Sequence, residues 1–124
     1  MKASLEKTIS TYIDFTSEEF KSIRDCFQIK TLKRREILHD INSVCGNVYF
    51  IEEGIIRYFQ VENGEEVTGQ FFFTGGWYTD LESFLSNSYS RQTAQAIEST
   101  SLLYISKQDL DKSYKEIPRF ERFG

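Results

Sequence analysis

Residues 47–73 read NVYFIEEGIIRYFQVENGEEVTGQFFF. Three runs of β-branched and aromatic residues are packed into this stretch, and two turn signals cut them apart. Asn47–Ile51 is the first run, closed by Glu52-Glu53-Gly54. Ile55–Val61 is the second. Asn63-Gly64 then predicts a two-residue hairpin, because a type I′ turn needs positive φ at both central positions and these residues tolerate it best. Glu66–Phe73 is the return strand, expected to set Val67, Gly69, Phe71 and Phe73 on one face. Phe71-Phe72-Phe73 cannot all point inward, so Phe72 is expected to pack under a flanking helix or lie exposed. Gly54, Gly69 and Gly75 read as turn or close-packing residues.

Working outward, the strand rhythm continues on both sides. Gln28–Leu32 alternates and ends in the basic turn Lys33-Arg34-Arg35, which reads as a solvated turn with an anion contact as the alternative. Glu36–His39 follows. Downstream, Gln92–Ile97 and Leu102–Ile105 form the last strand pair. Short strands about 8–12 residues apart, with turn signals between them, predict a sandwich or barrel of antiparallel strands. Helical spacing appears only around this region. Residues 3–14 place Leu5, Ile9, Tyr12 and Ile13 on one face. Thr16 or Ser17 caps a second helix with Glu18 and Glu19 in its first turn, where the macrodipole favours acids. Thr79 or Asp80 caps a short helix over 80–85 that breaks at Ser86-Asn87-Ser88. Ser106 caps another at Lys107–Tyr114. Pro118 suits the first position of a further helix, which stops at Gly124 and so reads as cut short. The expected organisation is helices in 1–27, a β-roll in 28–106 and helices in 107–124: mainly β with flanking helices.

Composition narrows the function. The chain has 124 residues, enough for one domain. Nineteen acidic against 15 basic side chains give a net charge of −4, with no dense basic tract, so a nucleic-acid grip by this segment is not expected. No apolar run approaches the roughly 20 residues of a membrane helix. The first residues lack the apolar core of a signal peptide, so a cytoplasmic location is expected. Cys26 and Cys45 have no CxxC spacing and read as reduced thiols. The one histidine, His39, reads as structural or solvated rather than as a metal ligand, and no nucleophile elbow accompanies it. No hydrolytic or metal chemistry is expected.

The run Val48–Gly54, followed by Ile55-Ile56-Arg57-Tyr58, the Asn63-Gly64 hairpin, Gln70-Phe71-Phe72 and the stretch GGWYTDLESFLSNSYSRQTAQAI at 75–97, resembles the cyclic-nucleotide-binding domain of Crp/Fnr-type bacterial transcription regulators. The likeness spans essentially the whole chain. It implies a double-stranded β-helix, or jelly roll, with residues 75–97 as the phosphate-binding cassette. In that family a short helix's N-terminus and an arginine fork hold the phosphate, and an acid accepts the ribose 2′-hydroxyl. Aligned without gaps on Leu81, Phe84 and Ala96, the acid falls on Asp80 and the arginine falls on Ser90. Arg91 lies one position later, and in a strand that shift reverses the face. Thr79 replaces the family's glycine, and Asp80 is shorter than its glutamate. The candidate ligand residues are therefore Thr79, Asp80, Leu81, Ser90, Arg91 and Gln92, in a cassette that keeps its frame and loses its arginine. Trp77 aligns with a packing phenylalanine and is expected in the core.

Three outcomes stay open: cyclic-nucleotide binding, a different small anion in the same cavity, or a cavity filled by aromatics with no cofactor or effector, leaving an interaction or dimerisation module. The resemblance implies a non-catalytic sensor. It also implies a homodimer in the full-length regulator, with DNA contacted only through a helix-turn-helix beyond this segment. The segment alone is expected to be a monomer or weak dimer, with Phe120 and Phe123 exposed, folded back or in lattice contacts. A metal enzyme of cupin type would need several His and Glu ligands, which one histidine cannot supply.

Overall fold

A computed structural model describes residues 1–122. Two helices open the chain. The first, α1 (Leu5–Ser10), is shorter than the 3–14 span expected: Ser4 caps it, and the chain turns away after Ser10. The second, α2 (Ser17–Asp25), begins at a reciprocal capping box. Thr16 Oγ1 accepts from the Glu19 N–H at 3.1 Å, and Glu19 Oε1 accepts from the Thr16 N–H at 2.9 Å.

Eight strands follow: β1 (Gln28–Leu32), β2 (Ile37–His39), β3 (Asn47–Glu53), β4 (Ile55–Glu62), β5 (Glu65–Phe73), β6 (Trp77–Tyr78), β7 (Thr93–Ala96) and β8 (Thr100–Ser106). They form two four-stranded antiparallel sheets, ordered β1-β8-β3-β6 and β2-β7-β4-β5. Helix α3 (Leu81–Ser86) interrupts the strands, and α4 (Lys107–Glu116) and a 3₁₀ helix (Pro118–Arg122) follow them. The jelly-roll expectation holds. Asn63 and Gly64 have φ of 53° and 81°, as the hairpin requires.

The central strands β3 and β8 of the β1-β8-β3-β6 sheet are buried on both faces, which is why they read as unbroken apolar runs. Phe50, Leu103 and Ile105 face the helices and pack with Ile9, Ile23 and Ile117. Ile51, Leu102 and Tyr49 face the other sheet and pack with Ile56, Ala94 and Ala96. Burying each of the Ile, Leu and Phe side chains among these stabilises the fold by about 1.5–3 kcal/mol.

Several expectations need correction. In β1 only Leu32 is buried, and Ile29 is 65% exposed, so its alternation does not mark a core face. In β5 the inward residue is Phe72, packed edge-on against Tyr78 at 5.0 Å rather than under a helix. Phe71 and Phe73 point out. The cause is a bulge. Register shifts between Tyr58 and Phe59, leaving Gly69 unpaired and reversing the parity of the strand after it. Only glycine fits there, since a Cβ at Gly69 would lie 2.1 Å from the Tyr58 ring. The two-residue strand β6 is also new; it pairs Tyr78 with Tyr49 and Trp77 with Phe50. Phe120 folds back onto its own chain, fully buried beside Tyr114 at 5.6 Å. Phe123 lies outside the described residues.

Candidate functional site

The cassette runs from β6 through α3 to β7. Asp80 is the N-cap of α3, its Oδ1 accepting from the Ser83 N–H at 3.3 Å. Asn87, at φ 56°, ends the helix in the left-handed conformation. The chain then returns so that Ser90, 4% exposed, comes back beneath the cap. Its backbone N–H donates to the Ser43 carbonyl at 2.8 Å, and its hydroxyl donates to Asp80 Oδ2 at 2.5 Å. The acid position and the arginine position are thus joined to each other. A protein carboxylate already occupies the helix N-terminus that would face a phosphate.

The other candidates divide. Thr79 turns inward, its hydroxyl donating to the Asn47 carbonyl at 2.9 Å and touching the Cys45 sulfur at 3.6 Å. Leu81 points away, 60% exposed, into an apolar groove of about 500 Å³ that it shares with Leu85, Trp77, Leu110 and Tyr114. Arg91 and Gln92 line a cleft of about 160 Å³ together with Asp80, Glu82 and Tyr89. Arg91 is exposed and makes no hydrogen bond or ion pair among the described residues. Two carboxylates against one guanidinium make this cleft anionic, the wrong sign for a phosphate.

Behind the cleft, polar and aromatic side chains pack between the sheets. Gln92 Nε2 donates to Tyr78 Oη at 2.9 Å, and Tyr78 Oη lies 2.7 Å from His39 Nε2. His39 stacks on Tyr78 at 5.6 Å, and Phe72 packs against both Tyr78 and Tyr58. Burial lowers the His39 pKa below its ordinary value, although the charges of Asp80 and Asp40 pull it the other way. Burial also raises the Tyr78 phenol above the usual range. Both groups are therefore neutral near pH 7 and serve as uncharged hydrogen-bond partners. His39 is structural rather than solvated, one of the two roles its sequence context allows, whereas nothing in the sequence assigns Tyr78 a role. The signal lay in polar groups on strands that otherwise point aromatics inward. Trp77 is half-buried, packed on Phe50 at 4.9 Å and Phe27 at 6.3 Å, as its core assignment implies.

Among the described residues no three His, Cys, Asp or Glu cluster to hold a metal ion, and both cysteines are free thiols. Among the described residues no helix is long and apolar enough to cross a membrane.

Comparison with solved structures gives the same architecture. The catabolite activator protein of Thermus thermophilus superposes with a TM-score of 0.75 at 20% identity, over 86% of this chain and 50% of that one. A cyclic nucleotide-binding domain from Methylobacillus flagellatus superposes at 0.78 with 15% identity, over 92% of this chain and 66% of that one. A CooA variant from Carboxydothermus hydrogenoformans gives 0.71 at 20% identity, over 98% and 76%. The chain spans half the length of the Thermus protein. No curated protein sequence matches it. The family model described as the cyclic nucleotide-binding domain matches residues 29–116, about seven-tenths of the chain, and with the two-sheet roll and its interrupting helix in place the chain belongs to the cyclic nucleotide-binding domain family.

Proposed function

We propose that this domain is a non-catalytic regulatory module of the Crp/Fnr type whose cassette has lost cyclic-nucleotide binding. The observation that carries this reading is the 2.5 Å hydrogen bond from Ser90 to Asp80. The two positions that would hold the phosphate and the ribose satisfy each other. Their surroundings agree with this, because the neighbouring cleft is anionic and the cavity behind it is packed with His39, Tyr58, Phe72 and Tyr78. The roll then works as a rigid scaffold for its flanking helices, in a cytoplasmic regulator that dimerises and contacts DNA through segments beyond this one. An effector, where one acts, biases the position of those helices.

Titration calorimetry with cyclic AMP and cyclic GMP tests this directly. The expected result is binding weaker than micromolar, with no stabilisation in a thermal-shift screen. An authentic effector at about 100 times its dissociation constant would add about 2.7 kcal/mol. A submicromolar constant would overturn the reading and require that the Ser90–Asp80 bond opens and Arg91 swings in. Arg91→Ala would then cost about 1.5–3 kcal/mol of binding.

A further inference from the structure

The outer face of the β2-β7-β4-β5 sheet carries a second cleft, of about 520 Å³, that shares no lining residue with the cleft beside Asp80 and Arg91. Arg34, Arg35, Arg57, Thr68, Phe71 and Gln95 line it. One side chain organises the arginines. Gln95 Oε1 accepts from Arg57 Nε at 3.2 Å and Nη2 at 2.8 Å, while its Nε2 donates to the Arg35 carbonyl at 2.9 Å. The Arg35 N–H donates to the Ala96 carbonyl at 2.9 Å. These two bonds hold Arg35 at a φ of 71°, a conformation that a non-glycine residue keeps only where the surroundings enforce it. Arg57 is fixed as well. Its guanidinium lies 4.2 Å from the Phe59 ring centroid, and Nη1 donates to Thr68 at 3.0 Å.

The charge balance is unusual for this chain. Three of its seven arginines meet at one cleft in a domain of net charge −4. The one carboxylate lining the cleft is Glu66, ion-paired to Arg57 at 2.6 Å with its side chain 55% exposed. Arg34 and Arg35 have no ion pair among the described residues. Guanidinium forks match phosphate oxygens in spacing, and the cleft has the volume of a small-molecule site. The outward-facing Phe71 gives it one apolar wall.

We propose that this cleft binds a small phosphorylated molecule, with the phosphate on Arg34, Arg35 and Arg57 and its apolar part against Phe71. The exposed Glu66 holds Arg57 in the free state and gives way to the ligand. The proposal is independent of the cassette's fate.

The test is a titration of the ¹⁵N-labelled chain with inorganic phosphate and with phenyl phosphate at fixed ionic strength, followed by amide shifts. Saturable shifts are expected at Arg35, Thr68, Ala96 and Ile97, larger in affinity for phenyl phosphate. Arg34→Gln with Arg35→Gln should weaken binding about tenfold or more, as loss of charge-assisted bonds does. Glu66→Gln should tighten it severalfold, because the internal competitor is gone. Lys30→Gln with Lys115→Gln, which removes the same charge elsewhere, should leave it unchanged. No saturation by about 10 mM of either probe would overturn the proposal. So would saturable shifts confined to Asp80–Gln92, equal weakening in the lysine pair, or no tightening in Glu66→Gln.

Discussion

Replacing Ser90 by alanine asks whether the cassette is truly closed on itself. In Ser90→Ala, Asp80 Oδ2 loses the donor now 2.5 Å away, and the Gln92 N–H loses an acceptor at 3.2 Å. A hydrogen bond to a charged acceptor contributes about 1.5–3 kcal/mol. Asp80→Ala removes that same bond together with the N-cap to Ser83, for about 1 kcal/mol more. The double variant should therefore lose less than the sum of the two single variants, with a coupling of about 1.5–2 kcal/mol. In a domain of this length a loss of about 2 kcal/mol lowers Tm by about 6–10 °C. Urea unfolding followed by circular dichroism on the four proteins of the cycle measures the coupling. A value under about 0.5 kcal/mol would mean that the two side chains act independently. Asp80 would then stand free for a ligand, and the cassette would not be closed on itself.

Other expected outcomes follow from single sites. Gly54→Ala should cost about 3 kcal/mol or more in urea unfolding, because Gly54 has φ 132° and its Cβ would lie 2.8 Å from the Thr100 Cα. A loss under about 1 kcal/mol would show that the turn between β3 and β4 moves easily away from Thr100. His39 is held neutral by burial, so its pKa is lower folded than unfolded. The unfolded chain then binds the extra proton first, and stability should fall as pH drops below about 6.5, the unfolded value. His39→Gln should flatten the curve just below that pH, and an unchanged curve would mean that the ring is accessible to protons. Phe120→Ala should cost about 3 kcal/mol, since the ring is fully buried against its own chain. For the same reason light scattering at tens of micromolar should find this chain monomeric or only weakly dimeric; a dimer that survives dilution to nanomolar would contradict it.

Where local chemistry decides the backbone, the sequence was legible. Asn63-Gly64 and the cap at Ser106 act through their nearest neighbours and lie where their chemistry requires; of the paired cap candidates, the structure uses Thr16 over Ser17 and Asp80 over Thr79. Faces were harder to read. The inward turn of Phe72 depends on Gly69 making room for the Tyr58 ring, a contact between strands that no period-two pattern reveals. At the site, the misplacement of Arg91 relative to the family's arginine was readable by counting residues. That Ser90 would donate to Asp80 was not, because it depends on how the 86–89 loop returns beneath α3. Arg34 and Arg35 looked like a solvated turn for a similar reason: Arg57 and Gln95, which share their cleft, are distant in sequence.

Trp77 is the chain's single tryptophan, and it sits where the helical layer meets the roll. One edge of it is packed on Phe50 of the sheet, and another is near Phe27 at the end of α2. It also borders the groove lined by Leu110 and Tyr114 of α4. The domain therefore carries its own optical reporter at the joint a regulator would move. Any shift of α4 against the roll changes the solvent around one indole, and hence the wavelength and yield of its emission. Movement of the flanking helices can thus be followed in the unlabelled wild-type chain, by stopped-flow fluorescence, while candidate effectors are added one at a time.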